Sequence, residues 1–181
     1  GYMELLEIET PRLLLRQFRV EDAEDVFEIL SDEETTLDCG GYHAFDAMDE
    51  EYYRLMEKFA SQSRYSVVQK ETGRVVGMIS MMDAERAVPG WELGIEIAPM
   101  ARRQGFAREA LAAVIRNYFE KTETVLFTGG HYAYNGRSGE LLKSLGFGYE
   151  GIEHKAMRHA KRGPTDLVCY YLEKEFSEKR C

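Results

Sequence analysis

Cysteine is scarce in this chain: three residues, Cys39, Cys169 and Cys181, odd in number and far apart. That pattern suits reduced thiols in a reducing compartment and excludes a disulfide framework. Long apolar runs are missing too, so no segment is expected to span a bilayer and no membrane partner is expected. Nor does a basic stretch followed by an apolar one open the sequence, which argues for a cytoplasmic home. Positive charge is in deficit, with 23 Lys and Arg against 32 Asp and Glu for a net charge of -9. Binding to phosphate backbones depends on Lys and Arg, so nucleic acid is not an expected partner, and the single Trp91 has no basic patch beside it. The same acidity draws cationic amines, and it serves solubility equally. Metal ligands at working spacing are absent: Cys39 with His43, and His154 with His159, are pairs that no third ligand follows, so no metal is expected. Internal repeats and low-complexity tracts are absent as well.

What is present is the balance of an ordinary globular protein, 44% hydrophobic and 30% charged over 181 residues, enough for one domain around one core. Residues 1–9 read as an N-terminal extension, with Gly1 and Tyr2 ahead of Met3 as an added remnant. Arg12 to Phe18, behind Thr10-Pro11, predicts a first strand. Asp22 is placed to cap a helix with Ala23, Val26, Phe27 and Leu30 on one face. Asp46 is placed to cap a second, with Met48, Tyr52, Leu55, Met56 and Phe59. Tyr65 to Gln69 and Val75 to Met81 form a hairpin turning at Gly73. In the strand Trp91 to Ala98, apolar Trp91, Leu93, Ile95 and Ile97 alternate with a face carrying Glu92 and Glu96. A helix from near Gln104 gathers Ala107, Leu111, Val114, Ile115 and Tyr118, and a strand from Thr124 to Thr128 follows it, an order that implies some parallel pairing. The Gly-rich, aromatic loop Gly129 to Tyr134 leads to a short helix, Ser138 to Leu145, ended by Gly146. Tyr149 to Met157 and Leu167 to Glu173 close the chain as a strand pair. The fold class is α/β, a mixed sheet with helices on both faces.

Between the strand with the two glutamates and the long helix lies Arg102-Arg103-Gln104-Gly105-Phe106-Ala107. Glycine and alanine let backbone approach a bulky ligand, the N–H groups at a helix start attract anions, and two arginines add mobile charge; a generic turn has the same ingredients. Neither a P-loop nor a dinucleotide-binding glycine fingerprint occurs. Arg-x-x-Gly-x-Ala here resembles the acetyl-CoA-binding motif of the GNAT acetyltransferases. Glu92 to Pro99, the helix start Arg108-Glu109-Ala110-Leu111, the opening Thr10-Pro11-Arg12-Leu13-Leu14-Leu15-Arg16, and Asn135-Gly136-Arg137-Ser138 with Leu145-Gly146-Phe147 are similar to the Rim-type branch, named for ribosomal-protein N-terminal acetyltransferases. The resemblance runs from about Thr10 to about Phe176.

The resemblance implies a mostly antiparallel sheet of about seven strands, splayed between its fourth and fifth, and acetyl-CoA as co-substrate without a metal. The pantetheine arm would pair with the backbone of Ile95, Ile97 and Ala98, and the pyrophosphate would sit over Arg102, Arg103, Gln104, Gly105, Phe106 and Ala107. Asn135 would hold the cofactor arm, and Ser138 would protonate the departing sulfur, with a helix cap as its alternative. An amine must be neutral to attack a thioester, so a carboxylate acting directly or through water is expected as base, Glu92 first and Glu96 second, with water itself as the remaining alternative. Gly136 and Gly139 depart from the usual pattern and suggest a mobile segment around Ser138. Tyr42, Phe45, Tyr52 and Tyr53 fall where the family forms part of the acceptor wall, or are plain helical packing. The expected activity is acetyl transfer to a primary amine, on a protein N-terminus or a small molecule, by a chain for which a homodimer is allowed. The alternative is an acyl-CoA-binding module without turnover.

Overall fold

The computed structural model describes residues 4–175. Gly1 to Met3, with the expected remnant, Phe176 and Cys181 lie outside the described residues. The backbone forms one sheet of eight strands: β1 (Ile8–Glu9), β2 (Leu13–Gln17), β3 (Arg64–Gln69), β4 (Val75–Asp83), β5 (Gly90–Ile97), β6 (Leu126–Tyr132), β7 (Gly148–His159) and β8 (Gly163–Glu173). Their spatial order is β1-β2-β3-β4-β5-β6-β8-β7. All neighbours run antiparallel except β5 and β6, which are parallel. A parallel pair needs a crossover, and the helix α4 (Phe106–Lys121) supplies it. The strand beyond the expected seven is β1: Ile8 is buried and pairs with Leu15, so that end of the expected extension is part of the sheet.

Consecutive strand residues point to opposite faces, and β3 uses this to bind helices on both. The Tyr65 hydroxyl meets that of Tyr118 on α4 at 2.7 Å, while the Ser66 hydroxyl donates to Asp22, ahead of α1 (Ala23–Leu30), at 2.7 Å. Phe127, Gly129 and His131 of β6 share the α4 face, and there α5 (Arg137–Ser144) lies against Gly129 and His131. On the other face, α1 lies against β4 and α2 (Glu33–Cys39) against β5 and β6, while α3 (Glu50–Ala60) packs its Tyr52 on Phe27 of α1.

Several boundaries differ from the sequence-based expectation, each for a local reason. Asp22 holds the N-cap position of α1, but its side chain makes no cap hydrogen bond; its carboxylate binds Arg16 through both oxygens, at 2.8 and 2.9 Å. The cap of α3 is Asp49, not Asp46, because its Oδ1 accepts the Tyr52 N–H at 3.0 Å; Met48 stays outside the helix and exposed. Helix α2 has almost no apolar periodicity and escaped the pattern; Asp32 caps it by accepting from Thr35 N–H at 3.1 Å. Gly129 to Tyr132, expected as loop, continue β6 because β8 offers a ladder, with Gly130 opposite Cys169 and Tyr132 opposite Leu167. β7 and β8 are longer than expected for the same reason. Among the described residues, no helix is long and apolar enough to cross a membrane.

Candidate active site

The parallel pairing of β5 and β6 stops at Leu93 opposite Gly129. Beyond it β5 stays with β4 and β6 stays with β8, so the two strands part. The Ala98 N–H donates to Val76 at 2.8 Å, which fixes the phase of the β4–β5 ladder. Alternation then turns the backbone N–H and C=O of Ile95 and Ile97 to the opposite edge of β5, into the gap. Ala98, also expected to pair with the arm, has its N–H on Val76 and its carbonyl accepting from the Ala101 N–H at 2.8 Å. Where the gap opens, Gly129 leaves room for α5, since a Cβ there would come within 3.2 Å of the Leu142 side chain.

This gap holds a cavity of about 230 Å³. On the α4 face its wall is Leu111, Ser138, Leu141 and Leu142; on the opposite face it opens between Glu92, Glu153, Met157 and Cys169. Burial, then the neighbouring charge of Glu153, raises the Glu92 carboxyl above the ordinary carboxylate range, against the pull of Arg86. Arg86 itself is bound to Glu150 at 2.6 and 3.1 Å. Glu96 also lines the cavity and is raised by burial, with Arg64 opposing. Cys39 lies at the same junction, its thiol 4.0 Å from the Ile95 carbonyl.

A larger cavity, about 1330 Å³, adjoins the first through Cys39, Ser80, Met82 and Glu96, which line both. Tyr42, Phe59, Arg64 and Trp91 form part of its wall. The aromatic group expected as acceptor wall is thereby divided. Tyr42 borders the cavity, whereas Tyr52 is fully buried, donates to the Ala23 carbonyl at 2.6 Å and meets Phe27, Phe45 and Tyr53 edge to face.

The glycine motif forms the approach to α4. Arg103 and Gly105 have φ of 63° and 79°, and Gly105 is the N-cap, so left-handed backbone reverses the chain just before the helix. Glu109 is the first helical N–H bonded back, to the Gly105 carbonyl at 3.1 Å; the N–H groups before it in the first turn have no intrahelical partner. Arg103, Gln104 and Gly105 are exposed, Ala107 is half-buried, and Phe106 is buried as the anchor. The charge of Arg102 is not mobile as expected. Its guanidinium donates to the Thr35 hydroxyl and lies 3.7 Å from Asp32, tying the motif to α2. The opening Thr10-Pro11-Arg12 also docks here: Glu109 accepts from the Thr10 hydroxyl at 2.6 Å and from Arg12 Nε at 2.7 Å, and the Arg12 guanidinium lies 4.5 Å over the Phe106 ring. Burial alone would raise the Glu109 carboxyl, but these bonds bring it below the usual range.

Ser138 is the second residue of α5, whose N-cap is Gly136, so the helix-cap alternative is excluded; the residue lines the cavity. Asn135 occupies the preceding turn, its N–H on the Tyr132 carbonyl at 2.9 Å. Gly139 has a packing reason that the sequence hid. A Cβ there would stand 2.8 Å from both His131 Nε2 and the Tyr170 hydroxyl, so only glycine lets α5 settle on that pair. His131 Nδ1 lies 2.7 Å from the Tyr132 carbonyl and Nε2 lies 3.3 Å from Tyr170. The structure thus brings Glu92, Glu96, Ile95 and Ser138 onto one cavity, with Ile97, Ala98, the glycine motif and Asn135 outside its lining. Missed by sequence reasoning were Arg64, Glu153, His131 and Tyr170, whose partners are distant in the chain.

Comparison with known proteins agrees with this geometry. Residues 12–148 match the family model described as an acetyltransferase (GNAT) domain. An uncharacterized N-acetyltransferase of Bacillus subtilis, YoaA, is 27% identical over 175 residues, covering 92% of this chain and 96% of that one. The crystal structure of a GNAT-family acetyltransferase from Bacillus anthracis superposes with a TM-score of 0.82 at 22% identity, covering 93% and 98% of the two chains. The structure of the Microcin C7 self-immunity acetyltransferase MccE in complex with acetyl-CoA and AMP superposes with a TM-score of 0.79 at 16% identity, covering 91% and 94%. With three quarters of its length inside the family model and an eight-stranded sheet parted at its parallel pair, the chain belongs to the GNAT acetyltransferase family.

Proposed function

We propose that this chain transfers an acetyl group directly from acetyl-CoA to a primary amine, on a protein N-terminus or a small molecule, in the manner of the Rim-type branch and in the cytoplasm. The observation that carries the reading is the gap between β5 and β6, toward which the backbone of Ile95 and Ile97 is turned. A thin, amide-bearing arm fits such a gap, and the unpaired N–H groups of the first turn of α4 suit a pyrophosphate. That MccE was solved with acetyl-CoA supports the choice of donor. Acetyl-CoA supplies a thioester carbonyl open to attack and a thiol leaving group.

Glu92 takes a proton from the incoming ammonium, which frees the nitrogen lone pair for the carbonyl carbon; its raised pKa brings it closer to the amine's own. The Ile95 and Ile97 N–H groups hold the arm, and one of them faces the carbonyl oxygen as negative charge develops. Ser138 passes its hydroxyl proton to the sulfur as the carbon–sulfur bond breaks, and the second proton lost by the nitrogen as the amide forms restores it through solvent, so that one proton in all, the one on Glu92, is released to solvent. Asn135 holds the arm on the α5 side. The backbone of Arg103 to Ala107 receives the phosphates, with Arg102 bracing that turn against α2.

A transfer assay against a pooled amine panel, read by free thiol and by product mass, tests this. Acetylated amine with stoichiometric CoA is the expected result. Tight acetyl-CoA binding with no product from any amine would instead mark the chain as an acyl-CoA-binding module.

A further inference from the structure

His131 is a buried imidazole on the wall of the β5–β6 gap, and no step of the proposed transfer uses it. Its two nitrogens face different groups. Nδ1 lies 2.7 Å from the Tyr132 carbonyl, which can only accept, so Nδ1 carries the proton and donates. In the neutral ring Nε2 then bears a lone pair, and the Tyr170 hydroxyl, 3.3 Å away, donates to it. The two rings stack at 28° with their centroids 5.6 Å apart, which fixes the plane of the imidazole.

Both ends of this ring reach the segment from Asn135 to Ser138. The Tyr132 carbonyl that accepts from Nδ1 also accepts the Asn135 N–H at 2.9 Å, one bond to each lone pair. At the other end, a Cβ added to Gly139 would stand 2.8 Å from Nε2 and from the Tyr170 hydroxyl, so the residue after Ser138 rests directly on the pair. Local structure holds this segment weakly. No side chain caps α5, and Gly136 and Gly139 at its start are poor helix formers.

We propose that His131, held by Tyr170, is the positioning residue of the site: the Nδ1 end of its ring sets the turn that carries Asn135, and the Nε2 end sets the seat of Ser138. The proposal rests on the transfer reaction above and adds to it a residue that acts through two others. Losing the Nδ1 end lets the Asn135 turn shift away from the cofactor arm. Losing the Nε2 end lets the start of α5 shift and carries the Ser138 hydroxyl away from the sulfur.

Two substitutions separate the ends of the ring. His131→Asn places an amide nitrogen near the position of Nδ1 and keeps the donor to Tyr132, but no longer reaches Tyr170 and Gly139. His131→Gln reaches the position of Nε2 and gives up the donor to Tyr132. His131→Asn is expected to lower kcat about three- to ten-fold, the scale of one neutral hydrogen bond, with acetyl-CoA affinity by calorimetry unchanged. His131→Gln is expected to weaken acetyl-CoA binding by a similar factor. Each loss should shrink to within about two-fold when the residue it acts through is already gone, His131→Asn being made in Ser138→Ala and His131→Gln in Asn135→Ala. Losses that persist in full in those backgrounds overturn the proposal, since packing alone gives additive effects, and so does the absence of either loss. Tyr170→Phe, which removes only the hydroxyl, repeats the kcat cycle with Ser138→Ala if the His131 variants do not fold. If no amine is acetylated, the transfer reaction is what fails, and the calorimetric cycle between His131 and Asn135 still decides the positioning role.

Discussion

At the scale of single residues, the pH response of Glu92 is the sharpest consequence of the site. Glu92 acts as base only when ionised, and burial with Glu153 beside it places its ionisation above the ordinary carboxylate range. The acid limb of the kcat/KM profile is therefore expected above that range too. Glu153→Gln removes a repelling charge and should move the limb to lower pH; Arg86→Met removes an attracting one and should move it to higher pH. A limb that ignores both substitutions would assign the base elsewhere. Ser138→Ala is expected to lower kcat by about 10² or somewhat less while leaving acetyl-CoA affinity and the amine KM in place, because the lost interaction belongs to the transition state. Gly139→Ala introduces a Cβ 2.8 Å from His131 and Tyr170 and should destabilise the fold by about 1–3 kcal/mol in chemical denaturation, as overpacking does. Glu92 and Ser138 were legible in the sequence because each belongs to a short motif. His131 and Tyr170 were not, because their relation to Gly139 exists only once α5 lies on the sheet.

At the scale of elements, the start of α4 is held from two sides. Arg12 and Thr10 grip Glu109 from the β1–β2 turn, and Arg102 reaches back to Asp32 and Thr35 at the start of α2. The opening Thr-Pro-Arg motif and the glycine motif, far apart in the chain, are thus one structural unit. Gly105 at φ 79° lies in the region that side chains rarely adopt, and a Cβ there would have Arg12 Nη2, 3.5 Å away, as its nearest neighbour. Backbone strain, rather than a clash within the protein, is what Gly105→Val should introduce. We expect the variant to keep its circular dichroism spectrum and lose about ten-fold or more in CoA affinity by calorimetry, as the N–H groups of the first turn are re-aimed. Unchanged affinity in the folded variant would place the phosphates elsewhere.

At the scale of the whole molecule, the shifted carboxylates Asp22, Glu92 and Glu96 divide into two sets with opposite pH dependence. Burial would raise Asp22, but bonds from Arg16, Ser66 and the Arg19 N–H bring it below the usual range. A carboxyl lowered by folding contributes stability above its unfolded ionisation, and that contribution is lost as pH falls through the folded one. Glu92 and Glu96 are raised, so their contribution is present in acid and lost as pH rises. Asp22→Ala leaves Arg16 without its bidentate partner at the junction of β2, β3 and α1. It should cost about 3–5 kcal/mol at neutral pH, a loss that shrinks in acid, as followed by denaturant titration at several pH values.

The sequence by itself determined the periodicities of α3, α4 and the central strands, the glycine turn before α4, and the motif set that marks the family, because each is written in residues close together in the chain. It did not carry α2 or the far half of β6, where an aspartate cap and a neighbouring strand, not apolar spacing, make the element. Tertiary structure alone decided which polar groups meet. Arg64 stands beside Glu96, Glu153 beside Glu92 and Glu109 beneath Arg12 because the sheet brings together segments that loops hold far apart in sequence. Local pattern reports which way a side chain points; the charge, burial and partners it finds there are properties of the assembled fold.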